Sequence, residues 1–170
     1  MKEIYDEAIK LFKELEHKNE CAMVICHSMG YNGLKRWHRR RSKIAHCYAI
    51  DLANELFDNH RKQANVAFMP NLYTSTSLKE HLAQWDGCLE TAITSLGRLS
   101  KQFLEKTGFM NACFEKAACK LLKDREKVRR WFNRFEETNW SAHDIHYVDV
   151  MLHEKEKKKE GHAKKNKNPY

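Results

Sequence analysis

The chain has 170 residues, the length of one domain, and its 42% hydrophobic and 32% charged residues are typical of soluble globular proteins, which argues against disorder and against a membrane protein. Only two prolines and six glycines occur, too few for the many turns of a compact all-β fold. Lys and Arg outnumber Asp and Glu by 31 to 23, for a formal net charge of +8, which suggests an anionic partner without identifying it.

Apolar residues recur at alternating steps of three and four in four long segments, which is the period of an α-helix. A shorter fifth helix is predicted from Ser141, with Asp144 completing a capping box at its start. The sequence therefore predicts a single all-α domain over 1–153, followed by a Lys-rich tail over 154–170. Its predicted helices are about 2–29, 34–63, 78–106, 109–136 and 141–158.

The connections between the helices predict their topology. Residues 30–33 and 107–108 are tight turns, so each turn is expected to join an antiparallel helix pair. The connection between the pairs, Ala64 to Ser77 around Pro70, has about 14 residues and reaches ~45 Å when extended at ~3.3 Å per residue. A thirty-residue helix is also ~45 Å long, so this connection can cross the whole length of the bundle.

The cysteines and the N-terminus bear on the cellular compartment. None of the six cysteines forms a C-x-x-C pair, and we interpret them as reduced thiols that are mostly buried. Acidic residues occur near the N-terminus where a signal peptide would have an apolar run. We therefore expect a cytoplasmic protein without membrane association.

Two helical hairpins, one long crossover and a short fifth helix resemble the ferritin-like family. The segment from Leu82 through Trp85 to Glu90 is also similar to the start of the third helix in bacterial ferritins. This resemblance implies a ferritin-like four-helix bundle, iron as the cofactor and assembly into a homo-oligomer. It also implies a di-iron site with a Glu on each of two helices and Glu-x-x-His on each of the other two.

Only part of that ligand set is present. Glu14 and His17 form the Glu-x-x-His motif, but on the first helix, and Lys43 stands three residues before His46. The predicted metal ligands are Glu14, His17, His46, Glu90 and Asp124. The set predicts iron or metal handling with a degraded di-iron site and without ferroxidase activity. The alternative to metal binding, which we favour for this pair, is that Glu14 and His17 lie on a solvated helix face.

Charged residues interrupt the apolar seams of the helices, where an unpaired charge is unfavourable. One hypothesis pairs Arg41 or Lys18 with Asp124 inside the bundle, which would replace a metal ion by an internal ion pair. The alternative is that the seam opens there and the charged ends reach water.

A second family resemblance lies in the basic stretch from Lys35 to Lys43. Arg41, His46 and Tyr48 follow a spacing that resembles the active motif of HEPN-domain ribonucleases. In that family the Arg holds the phosphate and the His assists proton transfer without a metal. The basic stretch and the Lys-rich tail also suit weak nucleic-acid binding. A non-catalytic oligomeric interaction module is the third alternative that the sequence leaves open.

Overall fold

The computed structural model of the chain describes residues 1–67 and 73–165, with the backbone alone for 162–165. It confirms the predicted all-α fold, and the described residues contain no β-strand. No described helix is long and apolar enough to cross a membrane. The five helices are α1 (Lys2–Ser28), α2 (Asn32–His60), α3 (Leu78–Thr107), α4 (Ala112–Glu137) and α5 (Ala142–Lys165).

Local capping residues mark the ends of α3. The Ser77 side chain accepts a hydrogen bond from the backbone N–H of Glu80, and the Glu80 carboxylate accepts one from the backbone N–H of Thr76. Gly108 ends the helix in the left-handed conformation, with φ of 77°, which glycine adopts without a steric penalty. The helix therefore begins at the predicted residue and ends one residue beyond the predicted bound.

The crossover between α2 and α3 traverses the bundle. Near its start, the backbone N–H of Asn65 donates to Asp6 in the first turns of α1. Near its end, Tyr73 contacts His81, which lies beside Cys26 close to the end of α1. At 1.5 Å per residue, these two points of α1 are about 30 Å apart, so α2 and α3 run parallel. The long crossover is confirmed by these flanking contacts, while Pro70 itself lies outside the described residues.

Helix α5 packs against the N-terminal half of α2 and is longer than predicted. Glu156 is fully buried and pairs with Arg40 at 3.2 Å, and Glu160 pairs with Arg36 at 2.9 Å. The prediction placed residues 154–158 in both the fifth helix and the tail, and the structure continues the helix through 159–165.

The junction between α2 and α5 depends on a glycine. The Asp149 carboxylate on α5 accepts hydrogen bonds from the first-turn N–H groups of Gly33 (3.0 Å) and Leu34 (2.9 Å) on α2. A Cβ atom at Gly33 would lie 2.0 Å from the carbonyl oxygen of Asp149. Only glycine allows α5 to lie this close to α2.

All six cysteines are free thiols. The expectation that most are buried is wrong, because only Cys26 is buried. Cys47 and Cys119 are exposed, and the other three are intermediate. Cys21, Cys88 and Cys113 are partly buried and pack against the core.

Candidate metal centre

Three buried side chains with metal-ligand chemistry meet near one end of the bundle. Cys26 comes from the last turns of α1, His38 from the second turn of α2 and His81 from the first turn of α3. One ligand atom from each lies within 4.8 Å of the others, and this is the one such group found among the described residues. Each of the three side chains is 0% exposed.

Both imidazoles direct the same nitrogen toward this meeting point. The Nε2 atoms of His38 and His81 are 3.0 Å apart, and the Cys26 Sγ atom is 3.5 Å from His81 Nε2. The ring edges of Trp85 and Tyr73 pack around the histidines. The surroundings are therefore apolar, with the polar atoms directed at one another.

Hydrogen bonds hold the other nitrogen of each histidine. Asn19 donates its amide to the Leu15 carbonyl, which leaves its Oδ1 atom to accept from His38 Nδ1 at 3.0 Å. The Tyr73 hydroxyl lies 2.9 Å from His81 Nδ1 and 3.2 Å from the His81 carbonyl oxygen. Because this hydroxyl has two possible partners, it can donate to Nδ1, or accept from Nδ1 while donating to the carbonyl.

Burial keeps the three groups uncharged. Desolvation lowers the pKa of His81 to about 4. Desolvation, with smaller contributions from the nearby His81 and Arg41, also holds the pKa of His38 well below its usual range. Burial raises the pKa of the Cys26 thiol to about 12, with a smaller contribution from Asp149. Neutral imidazole is the form that binds a metal ion, whereas the thiol must lose its proton to a metal.

The spacing of these atoms fits a tetrahedral zinc-type ion. With Zn–N bonds of about 2.0–2.1 Å and a Zn–S bond of about 2.3 Å, tetrahedral ligands lie about 3.3 Å (N to N) and about 3.6 Å (S to N) apart. The observed separations of 3.0 and 3.5 Å need only small shifts, and the third pair, Cys26 Sγ and His38 Nε2, lies within 4.8 Å. Asn19 and Tyr73 stand where outer-shell partners orient metal-binding imidazoles.

The residues predicted as iron ligands lie elsewhere, and among the described residues no three of them form a comparable group. His46 is 46% exposed and contacts Glu16 at 2.9 Å on the outside of the α1–α2 pair. Glu90 is 59% exposed and pairs with Arg125. Glu14 and His17 are half-buried on α1. Metal binding by this set stays a prediction.

Asp124, the fifth predicted iron ligand, is held by two cations in the bundle interior. Its Oδ1 atom lies 2.6 Å from Arg41 Nη2 and 2.7 Å from Lys120 Nζ. The hypothesis of an internal ion pair is confirmed for Arg41. In ferritin-like di-iron proteins, carboxylates and histidines from facing helices fill the bundle core. Two cations around one carboxylate do not fit a di-iron centre, because they repel metal ions and occupy the carboxylate.

The residues of the ribonuclease alternative point in different directions. Arg41 is buried against Asp124 and lies over the Trp37 ring at 4.9 Å, whereas His46 lies on the surface. Tyr48 packs against Phe12 at 5.2 Å between ring centroids. The ribonuclease assignment stays a prediction, and no contact among the described residues brings Arg41 to His46.

Ion pairs occupy half of the cations in the basic stretch. Arg36, Arg40 and Arg41 pair with acidic side chains of α5 and α4. Trp37 is buried, so its ring is unavailable for base stacking. Three of its cations therefore hold α2 to α4 and α5, which the run of positive residues did not indicate.

The helix order, the crossover and the fifth helix define a ferritin-like four-helix bundle, and comparison with solved structures supports this class. The chain is similar to an open-pore ferritin from Archaeoglobus fulgidus, with a TM-score of 0.79 and 10% identity over 89% of this chain and 93% of that one. A humanized archaeal ferritin gives a TM-score of 0.81 and 10% identity over 90% and 94%.

A third similar structure is the apo-ferritin from Pseudo-nitzschia multiseries, with a TM-score of 0.77 and 9% identity over 88% of this chain and 96% of that one. No protein-family model and no curated protein matches the sequence. The likeness is therefore one of fold.

Cys26, His38 and His81 are far apart in the chain and form no spaced motif, so their convergence was not recognised from the sequence. A weak signal was present. His81 lies one helical turn before Trp85, and Cys26 one turn after Ala22, so both share the apolar face of their helix. Such residues on a buried face need a partner.

Proposed function

We propose that this ferritin-like bundle binds one zinc-class metal ion through Cys26, His38 and His81. The observation that carries the proposal is the convergence of one sulfur and two Nε2 atoms, each on a fully buried side chain. Thiolate and imidazole together favour zinc among divalent metals at a tetrahedral site.

The location of the site supports a structural role for the ion. The three ligands come from α1, α2 and α3, and Tyr73 at the end of the crossover contacts one of them. A bound ion would therefore fasten the crossover end of the bundle. Three protein ligands leave the fourth tetrahedral position to a water molecule or hydroxide, and complete burial of the ligands separates that position from bulk solvent.

The experiment is a titration of the metal-free full-length chain with Co²⁺, a spectroscopic substitute for Zn²⁺. We expect one ion per chain, visible absorption bands of tetrahedral Co²⁺ and a thiolate-to-metal charge-transfer band in the near ultraviolet. Cys26→Ser should lose the charge-transfer band and bind at least tenfold more weakly. Cys47→Ser, which alters an exposed thiol on α2, should bind like the unmodified chain.

Thermal stability gives a second measurement, which does not depend on light absorption by the bound metal ion. An ion that binds only the folded chain, at a free concentration one hundred times its dissociation constant, stabilises it by about 2.7 kcal/mol. We expect Zn²⁺ to raise the melting temperature of the parent and of Cys47→Ser, but to have little effect on Cys26→Ala. Equal responses of all three proteins would refute the proposal.

Iron handling of the ferritin type is the competing proposal, and the fold supports it. Aerobic addition of Fe²⁺ tests it directly, through the rate of Fe³⁺ formation per chain. We expect no acceleration over protein-free buffer, because Arg41 and Lys120 surround Asp124 in the bundle core. Acceleration that is abolished by His46→Gln or Glu90→Gln would favour the iron proposal instead.

We also propose that the chain forms homo-oligomers. Large apolar side chains are exposed at the end of the bundle where α3 turns into α4, including Leu104 at 40%, Phe109 at 64% and Met110 at 53%. Exposed apolar groups favour self-association when they form a patch. Light scattering behind size exclusion should give a mass above 20.2 kDa, and a monomer at micromolar concentration would refute this.

A further inference from the structure

A groove on the surface of the bundle lies between the C-terminal half of α4 and helix α5, and none of the three proposed metal ligands lines it. Five cations line the groove against one acid, Glu154. The cations are Lys127, Arg130, Arg134, Lys155 and Lys158. Among the described residues, only Arg134 of these five has an ion-pair partner, which is Asp144. The groove therefore carries an excess of positive charge.

The pKa of Lys127 reflects this excess. It is lowered to about 8 by burial and by Arg41, with smaller contributions from Lys159 and Lys155, while Glu156 raises it. A negatively charged partner at this end of the groove would offset the repulsion between the cations.

Apolar side chains are exposed beside the cations, on one face of α5. Tyr147, Val150 and Met151 are 51%, 44% and 56% exposed. Spacings of three and four residues put Val150 and Met151 next to Tyr147 on the helix surface, and Tyr147 and Met151 also line the groove. Exposed apolar side chains that are contiguous and rimmed by polar ones are typical of a protein–protein contact.

We propose that the groove between α4 and α5 binds an acidic amphipathic helix of a partner protein. Such a helix lays an apolar stripe into a groove, and its carboxylates would meet the unpaired cations of the rim. From Tyr147 to Lys158 the wall of the groove extends about 16 Å along α5, which is the length of three helical turns. The partner segment is therefore expected to have about three turns, with apolar residues at steps of three and four beside Asp or Glu.

The same residues disfavour single-stranded nucleic acid, the other anionic partner that a basic groove suits. Such strands stack their bases on exposed aromatic rings. The Lys127 ammonium lies over the Trp131 ring at 5.2 Å, and Trp37 contacts that ring edge-on at 5.3 Å between centroids. Arg134 lies over the Tyr147 ring at 5.6 Å, and the exposed apolar side chains beside this tyrosine are not aromatic.

Selection from a displayed peptide library tests the chemistry of the partner without assuming its sequence. The bait is the full-length chain, and the library holds random segments of about 14 residues, or nearly four helical turns. We expect the enriched peptides to combine Asp or Glu with apolar residues at helical spacing. Enrichment of basic peptides, of peptides without this spacing, or of none at all would contradict the proposal.

Fluorescence anisotropy of the strongest selected peptide then locates the site. Arg130→Glu/Lys155→Glu should weaken binding by roughly tenfold, and Met151→Ser by roughly threefold. Two matched controls lie on other helices: Lys101→Glu, whose side chain is 78% exposed on α3, and Val24→Ser, at a residue 62% exposed on α1. Both should bind the peptide like the parent. Equal affinities of all these proteins would refute the groove as the site.

Two further measurements identify another occupant of the groove. An oligouridine of about 15 nucleotides should not displace the peptide, and displacement at equal concentration would assign the groove to nucleic acid instead. Met151→Ser should leave the mass from light scattering unchanged, since a smaller mass would assign this face of α5 to a second copy of the chain.

Discussion

The ion pair between Arg41 and Asp124 provides a quantitative test of how the bundle interior is stabilised. The two side chains are 9% and 6% exposed, and the contact is 2.6 Å long. In Asp124→Ala, Arg41 would keep its charge without its carboxylate partner. Removing one partner of a buried pair typically costs about 3–5 kcal/mol, and we expect a loss in this range.

Lys120 contributes less than Arg41 to the loss of stability expected for Asp124→Ala. Its side chain is 31% exposed, so it can turn toward water once Asp124 is absent. The loss should therefore arise mainly from Arg41. Urea unfolding followed by circular dichroism gives the free energy of unfolding of each variant. The double variant Arg41→Met/Asp124→Leu should recover most of the loss, because a well-packed apolar pair can replace a buried ion pair.

Asp86→Ala is the control for this prediction. Asp86 also binds two cations, Arg125 and Arg129, but its side chain is 24% exposed and that of Arg129 is 57% exposed. Arg125 is 15% exposed but keeps Glu90 as a partner at 2.8 Å, and the exposed pair with Arg129 contributes about 0–1 kcal/mol, so this variant should lose far less stability. A loss below about 1 kcal/mol in Asp124→Ala would refute the reasoning, since it would mean that Arg41 reaches water without its partner.

The remaining predictions concern the α2–α5 interface and a half-buried lysine. Gly33→Ala should destabilise by about 1–3 kcal/mol through overpacking, because its Cβ would lie 2.0 Å from an α5 carbonyl oxygen. Gly97→Ala should instead stabilise by about 0.5–1 kcal/mol in the same urea assay, since nothing lies within 4 Å and alanine favours helix. Asp149→Ala should lose about 1–2 kcal/mol as the cap of α2 disappears, and limited proteolysis should then cleave α5 first. For Lys127, burial and then Arg41 lower the pKa to about 8. Between pH 8 and pH 10.5 the unfolded chain therefore binds more protons at Lys127 than the folded chain does. The free energy of unfolding, relative to that of Lys127→Met, should rise by on the order of 1 kcal/mol across this range. A flat or falling difference would contradict that pKa.

The sequence was sufficient for the architecture because the architecture depends on local signals. The helical period of apolar residues identified α3 over about 78–106, close to its observed bounds, Leu78–Thr107. The length of the connection before Ser77 predicted the crossover, since only an extended segment of that length can span the bundle. The confirmed ion pair was also inferable, because a charge on a buried seam needs a partner.

The site could not be predicted in the same way. Cys26, His38 and His81 are brought together by the crossing of three helices, and the hydrogen bonds of Asn19 and Tyr73 depend on the same packing. The length of α5 was missed for a related reason, because the residues that hold it lie more than 100 positions away on α2.

Helical periods, caps and connection lengths are properties of short segments, so the amino-acid sequence by itself determined five helices and their order. Which polar atoms face one another inside the bundle is set by helix rotation and crossing, to within a fraction of an ångström. Only the tertiary structure therefore decided that two histidines and a thiol converge, and that the core holds paired charges where iron ligands were expected.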